Sequence, residues 1–138
     1  MESENYSNLK IPFEMLESWQ GLIEHIADTS AVPTSLIMRL QPETIEVCAT
    51  NMHQDNPFRI GDAESLSGNL LCEVVINSQQ ELVVENALKS QHWCDNPDAK
   101  RGLISYCGLP INWPTGKVFG TICMLDNKEN GYTDSQRE

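Results

Sequence analysis

The feature that most constrains the fold is a pair of almost wholly apolar strands joined by one tight turn. The segment reads LISYCGLPINWPTGKVFGTICMLD over residues 103–126. Pro114 and Thr115 suit the centre of a type I turn, and the glycine after them suits a left-handed position. The flanking strands, 105–113 and 117–126, do not alternate strictly between apolar and polar residues. Such strands lie inside a sheet with both faces covered, so the chain must supply two covering layers.

One amphipathic helix is predicted to cover the first face. It lies in IPFEMLESWQGLIEHIADTSAVP, where Pro12 suits the first helical turn and Pro33 prevents continuation. Its apolar residues recur at helical spacing and form one stripe. The stripe consists of Met15, Leu16, Trp19, Leu22, Ile23, Ile26 and Ala27.

The second cover must come from residues 51–104, the only remaining bulk of the chain. Two strands precede this region, SLIMRL (35–40) and TIEVCAT (44–50). Within it, NMHQDNPFRIGDAES is predicted as loop and LSGNLLCEVVINSQQ as a helix. ELVVENAL is predicted as a short strand, and KSQHWCDNPDAKRGL as a loop with a short helical turn. The apolar positions of the predicted middle helix are Leu66, Leu70, Val74 and Ile76.

Composition and charge exclude several functional classes. The length of 138 residues suits one domain, and a formal net charge of -11 argues against nucleic-acid binding. No apolar run approaches the roughly 20 residues of a membrane span, and the N-terminus is not a signal peptide, so we expect a cytoplasmic chain without direct membrane contact. The five cysteines form no C-x-x-C pair, which favours reduced thiols over a disulfide framework.

The chain ends set the expected domain limits. Residues 1–11 are predicted as a flexible N-terminal tail, and residues 12–138 as the domain. Near the end, Thr133 and Gln136 have the spacing of a capping box, yet the sequence stops at Glu138. This pattern predicts that the final helix is truncated, and hence that the chain is a fragment of a longer protein; a frayed natural C-terminus is the alternative.

The order of these elements and several motifs resemble the GAF domain family. The resemblance is strongest in YCGLPINWPTGKVFGTICMLD, and SLIMRL, LLCEVVINSQQELVVENAL and HWCDNPD fit the middle of the same pattern. It implies an α+β fold with an antiparallel sheet of five or six strands. The terminal helices would pack on one face, and a helix/loop roof would cover a pocket on the other.

Several motifs are similar to the GAF domains of bacterial sensor histidine kinases and diguanylate cyclases. These motifs are Trp93, Asn96-Pro97, Trp113-Pro114 and Phe119-Gly120-Thr121. The resemblance implies a regulatory module that binds a small molecule and uses no cofactor. It also implies a homodimer formed through the terminal helices, and an output domain in the same polypeptide.

The polar and aromatic residues expected beneath the roof are the candidate ligand contacts. These are Cys72, Trp93, Asn96, Asp98, Tyr106 and Thr121. A few fixed polar groups around an apolar cavity are what a small-molecule site needs. Each has a purely structural alternative: Trp93 could anchor a loop, Asn96 and Asp98 could form turns, and the hydroxyls of Tyr106 and Thr121 could bond the backbone. The facing of the last two depends on strand register.

A catalytic alternative rests on two of the cysteines. Their settings look similar to free methionine sulfoxide reductases, which would make Cys94 the nucleophile and Cys72 the resolving thiol. The sequence departs from that subfamily in two places. Asp62 stands near the position of a further cysteine, and Ile104-Ser105-Tyr106 replaces a Ser-Glu-Ile segment that carries the binding carboxylate.

Three other roles remain as alternatives. A ligand-free dimerisation module would have a filled pocket and serve only to align helices. A bilin carrier would want Cys followed by His, but the order here is His92-Trp93-Cys94. A metal site from His53, His92, Cys94 and Asp98 lacks a second spaced pair of ligands, so we expect no metal, and we expect no catalytic residues.

Overall fold

The computed structural model describes residues 11–66, 68 and 70–132, which form one six-stranded antiparallel sheet. The strands lie in the order β3-β2-β1-β6-β5-β4, so β1 and β6 are central. The predicted α+β fold and antiparallel sheet are confirmed. The strand bounds are β1 Thr34–Leu40, β2 Thr44–Thr50, β3 Ala63–Ser65, β4 Leu82–Val84, β5 Ser105–Asn112 and β6 Val118–Asp126.

The apolar hairpin forms strands β5 and β6 as predicted. Trp113 and Lys117 close the turn with an N–H···O bond of 2.7 Å, and Gly116 adopts φ +93°. β6 pairs with β5 on one side and with β1 on the other, from Thr34 opposite Leu125 to Arg39 opposite Gly120. Its interior position explains why its residues are apolar on both faces.

Helix α1, Phe13–Ser30, covers β1 and β2 on one face of the sheet. Ile23 and Ala27 are its buried apolar residues, and Trp19 meets Phe119 of β6 edge to face at 5.4 Å between ring centroids. The helix ends at Ala31, whose left-handed conformation satisfies carbonyls of the last turn. The predicted first cover is therefore present.

The opposite face is covered by short elements, which we call the roof: helix α2 (Leu71–Ser78), helix α3 (Pro97–Lys100) and the loop carrying Phe58. A single turn of 3-10 helix at Ala87–Lys89 leads toward α3. Together with this face of the sheet, the roof encloses the largest apolar cluster of the described residues. Its centre includes Leu36, Met38, Ile45, Val47, Leu71, Val75, Cys123 and Leu125.

The roof differs from the prediction in two places. The helix begins only at Leu71, and its buried residues are Leu71, Cys72 and Val75. Of the predicted apolar positions, Leu66, Leu70 and Ile76 pack in or against the cluster beneath the roof, whereas Val74 is not part of it. The Glu73 carboxylate fixes the start of the helix by accepting the N–H groups of Gly68 and Leu70. The segment predicted wholly as loop also contains β3, which pairs with β2 at the sheet edge.

The two ends of the described chain lie on the face that α1 covers. Ile11, the last residue of the predicted tail, packs against the apolar cluster around Ile23, and Tyr132 is buried against Ala27 and its neighbours. Residues 1–10 and the predicted capping box at Thr133 and Gln136 lie outside the described residues. Among the residues that are described, no helix combines the length and apolar character needed to cross a membrane.

Candidate functional site

A small cavity lies between the roof and the centre of the sheet. Its volume is about 30 Å³, room for about two water-sized positions. Its walls are mostly aliphatic, with sulfur and carboxyl groups at a few points. The lining consists of Leu36, Met38, Ile45, Phe58, Glu64, Leu70, Leu71, Cys72, Asp98, Cys123 and Leu125.

Three of the predicted site residues meet beside this cavity. Cys72 Sγ lies 3.1 Å from the Tyr106 hydroxyl, and the Thr121 hydroxyl donates to the same sulfur at 3.3 Å. All three side chains are buried. Strand register produces this convergence, because Tyr106 pairs with Leu125 and Thr121 with Met38, on the sheet face that α2 covers.

The Cys123 thiol joins this group and makes its electrostatics asymmetric. Hydrogen bonding from Cys123, with smaller contributions from Thr121 and Tyr106, lowers the pKa of Cys72, although burial acts in the opposite direction. The hydrogen bond to Cys72 and burial raise the pKa of Cys123 well above its usual value. Burial likewise raises the pKa of Tyr106, so its hydroxyl remains a donor. Of these two thiols, Cys72 is therefore the one that carries negative charge more readily.

Asp98 lies at the rim of the cavity, where its side chain keeps 19% of its surface exposed. Burial raises the pKa of Asp98 to about 6, with the Glu64 carboxylate acting in the same direction and Arg101 opposing it. Asp98 thus changes charge near neutral pH, which an ordinary carboxylate does not.

Arg101 links the end of helix α3 to the edge strand β3. Its guanidinium pairs with Glu64 on β3 and lies 3.8 Å from Asp98 on α3. The same group sits over the ring of Phe58, 5.2 Å from its centroid. Since Glu64, Asp98 and Phe58 all line the cavity, Arg101 separates it from solvent at this point.

The remaining predicted contacts, Trp93 and Asn96, serve the roof itself. Trp93 is half-buried and packs against the apolar cluster beneath the roof. The side-chain oxygen of Asn96 accepts from the backbone N–H groups of Asp98 and Ala99. Its side-chain NH₂ donates to the backbone carbonyl of Trp93. Asn96 therefore caps α3, which is the turn-forming alternative that the sequence left open.

Sequence reasoning missed Cys123, Glu64, Phe58 and Arg101 as parts of this site. Cys123 carried a signal, because it stands two residues after Thr121 on the same strand and so shares its face. Glu64, Phe58 and Arg101 carried none, since they lie in segments without periodicity and meet only through the tertiary fold.

Cys94 lies apart from the hydrogen-bonded group around Cys72. It is half-buried, and its thiol points to the carbonyl of Gln91 at 3.8 Å. The thiol beside Cys72 is Cys123 instead, so the arrangement does not favour the Cys94 and Cys72 pair of a reductase. Within the described residues, no group of three or more His, Cys, Asp or Glu side chains is arranged to hold a metal ion.

These features define a class of protein: an α+β domain with one antiparallel sheet, a long helix on one face and a small cavity under a roof on the other. The family model of the GAF domain matches residues 20–138. The chain belongs to the GAF domain family. No curated protein matches it.

Solved structures with the same fold have diverse roles and low sequence identity to this chain. The GAF domain of an Acinetobacter phosphoenolpyruvate-protein phosphotransferase is 18% identical with a TM-score of 0.69, over 96% of this chain and 77% of that one. The phycocyanobilin-bound GAF domain of a cyanobacterial phytochrome is 11% identical with a TM-score of 0.73, over 91% and 77%. A type II free methionine-R-sulfoxide reductase from Thermoplasma acidophilum is 12% identical with a TM-score of 0.69, over 90% and 83%. At these identities the likeness establishes the fold alone.

Proposed function

We propose that this chain is a regulatory, small-molecule-sensing GAF domain whose input site is the cavity beneath the roof. The observation that carries the proposal is that sheet and roof residues bound one partly open space, with Cys123 on one side and Cys72 and Asp98 on the other. An occupant of that space touches both layers. It can therefore change how the roof sits on the sheet, provided that it binds one arrangement more tightly than the other.

The size and chemistry of the cavity restrict the ligand. Drug-sized ligands occupy about 300–1,000 Å³, whereas this cavity measures about 30 Å³. The closed roof therefore admits a ligand of very few heavy atoms, and a larger one requires the pairing of Arg101 with Glu64 to open. Cys72, Asp98, Tyr106 and Thr121 are the proposed polar contacts, with Trp93 and Asn96 positioning the roof.

Transmission to an output domain is proposed to run through the ends of the domain. Ile11 and Tyr132 both pack on the side of the sheet that α1 covers, so a shift of the sheet moves both ends together. A bacterial histidine kinase or diguanylate cyclase is the kind of parent protein that we propose, acting in the cytoplasm. On this proposal the domain has no catalytic residue of its own.

A homodimer is proposed to form through α1. Met15 and Leu22, each 46% exposed, lie seven residues apart and so share one side of the helix. A second copy of the chain packing on this side would cover both residues. Helices paired in this way would carry a movement of one domain to its partner.

The alternative with direct support is a ligand-free dimerisation module. Aliphatic side chains fill most of the space beneath the roof, which is what such a module requires. It predicts that no small molecule stabilises the domain.

A combined native mass spectrometry and thermal-shift experiment separates the two functions. Protein purified under native conditions is examined for a retained small molecule, and small acids, amino acids and cyclic nucleotides are then screened for stabilisation. A sensor gives a saturable rise in melting temperature by mass action, which Thr121→Val and Tyr106→Phe should weaken. If no compound raises the melting temperature and no small molecule is retained, the result favours the ligand-free dimerisation module.

A further inference from the structure

Two cysteines from different layers of the domain meet under the roof. Cys72 belongs to α2, and Cys123 lies on β6 at the centre of the sheet. Both are free, both are buried and both line the same 30 Å³ cavity. Because each thiol borders the same cavity, a small reagent that enters it can contact both.

The hydrogen bonds around Cys72 prepare its sulfur for nucleophilic attack. Tyr106 and Thr121 place hydroxyl groups 3.1 Å and 3.3 Å from Sγ, and Cys123 lines the same cavity. Donors of this kind stabilise a thiolate. Cys123, by contrast, holds its proton, so Cys72 is the sulfur that attacks first and Cys123 keeps the proton that the second step needs.

The cavity also restricts which oxidant can reach the pair. Its volume suits a molecule of about two heavy atoms, and its rim is the polar group of Glu64, Asp98 and Arg101. Hydrogen peroxide is small, neutral and hydrogen-bonding, so it matches both the size and the polarity of this opening. Bulkier hydroperoxides do not fit while the roof is closed.

We propose that Cys72 and Cys123 form a peroxide-reactive thiol pair that oxidises to a disulfide. The Cys72 thiolate attacks one oxygen of hydrogen peroxide, the O–O bond breaks, and the departing hydroxide takes up the proton that Cys72 had released. The Cys123 thiol then attacks the sulfur of the Cys72 sulfenic acid, whose hydroxyl leaves as water with the Cys123 proton. Two thiols lose two electrons in total, and one peroxide becomes two waters.

The disulfide would tie α2 to the central strand of the sheet. The roof would then be fixed covalently, and the space between the two sulfurs would be lost. This chemistry does not depend on the proposed ligand site, because a domain that binds no ligand can still be oxidised. The two proposals therefore fail separately.

The test is oxidation of the folded, pre-reduced chain with one equivalent of hydrogen peroxide. Intact mass spectrometry should show a loss of 2 Da, and peptide mapping should assign the bond to Cys72 and Cys123. Cys48→Ser and Cys94→Ser are the matched controls and should still lose 2 Da. In Cys123→Ser, intact mass should instead show a gain of 16 Da, and dimedone added together with denaturant should trap a sulfenic acid at Cys72; Cys123→Ala serves if the serine variant does not fold.

Tyr106→Phe keeps both thiols and removes one donor. It should slow the oxidation about tenfold, the effect of one hydrogen bond to a charged group. Absence of the 2 Da loss in the folded protein overturns the proposal, as does a bond that involves another cysteine or a second chain. A rate in Tyr106→Phe equal to that of the parent protein overturns the assigned role of the hydroxyl.

Discussion

The ring of Tyr106 lies directly across Gly108, two residues further along β5 on the same face of the sheet. A Cβ atom at Gly108 would stand 2.6 Å from ring atoms Cε1 and Cζ, closer than real contacts allow. The absence of a side chain at Gly108 is therefore what lets the tyrosine hydroxyl reach Cys72. The position of the site depends on this pair of residues.

Gly108→Ala should displace the Tyr106 ring and destabilise the domain by about 1–3 kcal/mol, the usual cost of overpacking. Urea unfolding measures the change. Gly21→Ala in α1 is the matched control, since nothing lies within 4 Å of its added methyl group. That variant should be neutral or slightly stabilising. Equal unfolding curves for the two variants would contradict the packing of the ring on Gly108.

Asn96→Ala should destabilise the domain by about 1–2 kcal/mol, because α3 loses the side chain that caps it. Asn96→Asp keeps the oxygen that accepts from Asp98 and Ala99 but loses the donor to Trp93, so its loss should be smaller. Chemical denaturation of both variants measures this ranking. An alanine variant as stable as the parent protein would reject the capping role.

Asp98 should make the domain less stable as the pH rises from about 4 to about 6. Its pKa is 3.8 in the unfolded chain and about 6 in the folded one, so in this window the folded state holds a proton that the unfolded state has released. The effect amounts to about 3 kcal/mol at most. Asp98→Asn removes it, so this variant should match the parent near pH 4 and be more stable by pH 7.

Denaturation curves at a series of pH values measure the divergence between parent and Asp98→Asn. Asp95→Asn changes an exposed carboxylate of the same loop and serves as the matched control. It should not reproduce the divergence. If Asp98→Asn is less stable than the parent at pH 7, the pairing of Asp98 with Arg101 outweighs its burial, and the expected sign is wrong.

Arg101→Ala should loosen the roof while leaving global stability nearly unchanged. The partly exposed pair with Glu64 is worth about 1 kcal/mol or less, so amide exchange near residues 58–65 and 97–103 should accelerate by up to about fivefold. Lys89→Ala breaks an exposed pair with Glu129 and is the control. Unchanged exchange in Arg101→Ala would show that another contact holds the roof closed.

Leu22→Glu should shift the proposed homodimer to monomer, because it places a charge on the exposed apolar side of α1 that Met15 and Leu22 form. Sedimentation or light scattering over a concentration series measures the mass. Leu88→Glu introduces the same charge at a residue that is 59% exposed near the roof and should leave the dimer intact. A parent protein that is monomeric at every concentration would contradict the proposed dimerisation through α1.

The hairpin and α1 could be predicted from the sequence because burial leaves a direct pattern in them. Strand β2 illustrates the limit of that pattern. A strict period of two would put Ala49 on the face of Ile45 and Val47. Instead, Ile37 pairs with Ala49 and Met38 with Val47, which leaves Cys48 as an extra residue, and Ala49 joins the cluster on the face of α1. A bulge adds one residue and reverses the facing beyond it, which alternation alone does not reveal.

The site was predictable only in part, for a related reason. Cys72, Tyr106 and Thr121 stood out as polar groups in apolar segments, and register then placed them together. The buried positions of α2 were predicted only in part, since almost every position from Leu70 to Ile76 is apolar and the period is ambiguous. Arg101 and Glu64 meet across distant parts of the chain, so no local pattern joins them.

The central pairing of β1 with β6 also has a consequence for how the domain is made. Thr34 faces Leu125, so the middle of the sheet joins opposite ends of the described chain. Contacts this distant in sequence slow folding, because a long loop must close before they form. During synthesis, β1 and β2 leave the ribosome before the hairpin of β5 and β6, so one edge of β1 stays unpaired until β6 is complete. We expect nascent chains to need protection from aggregation during that time.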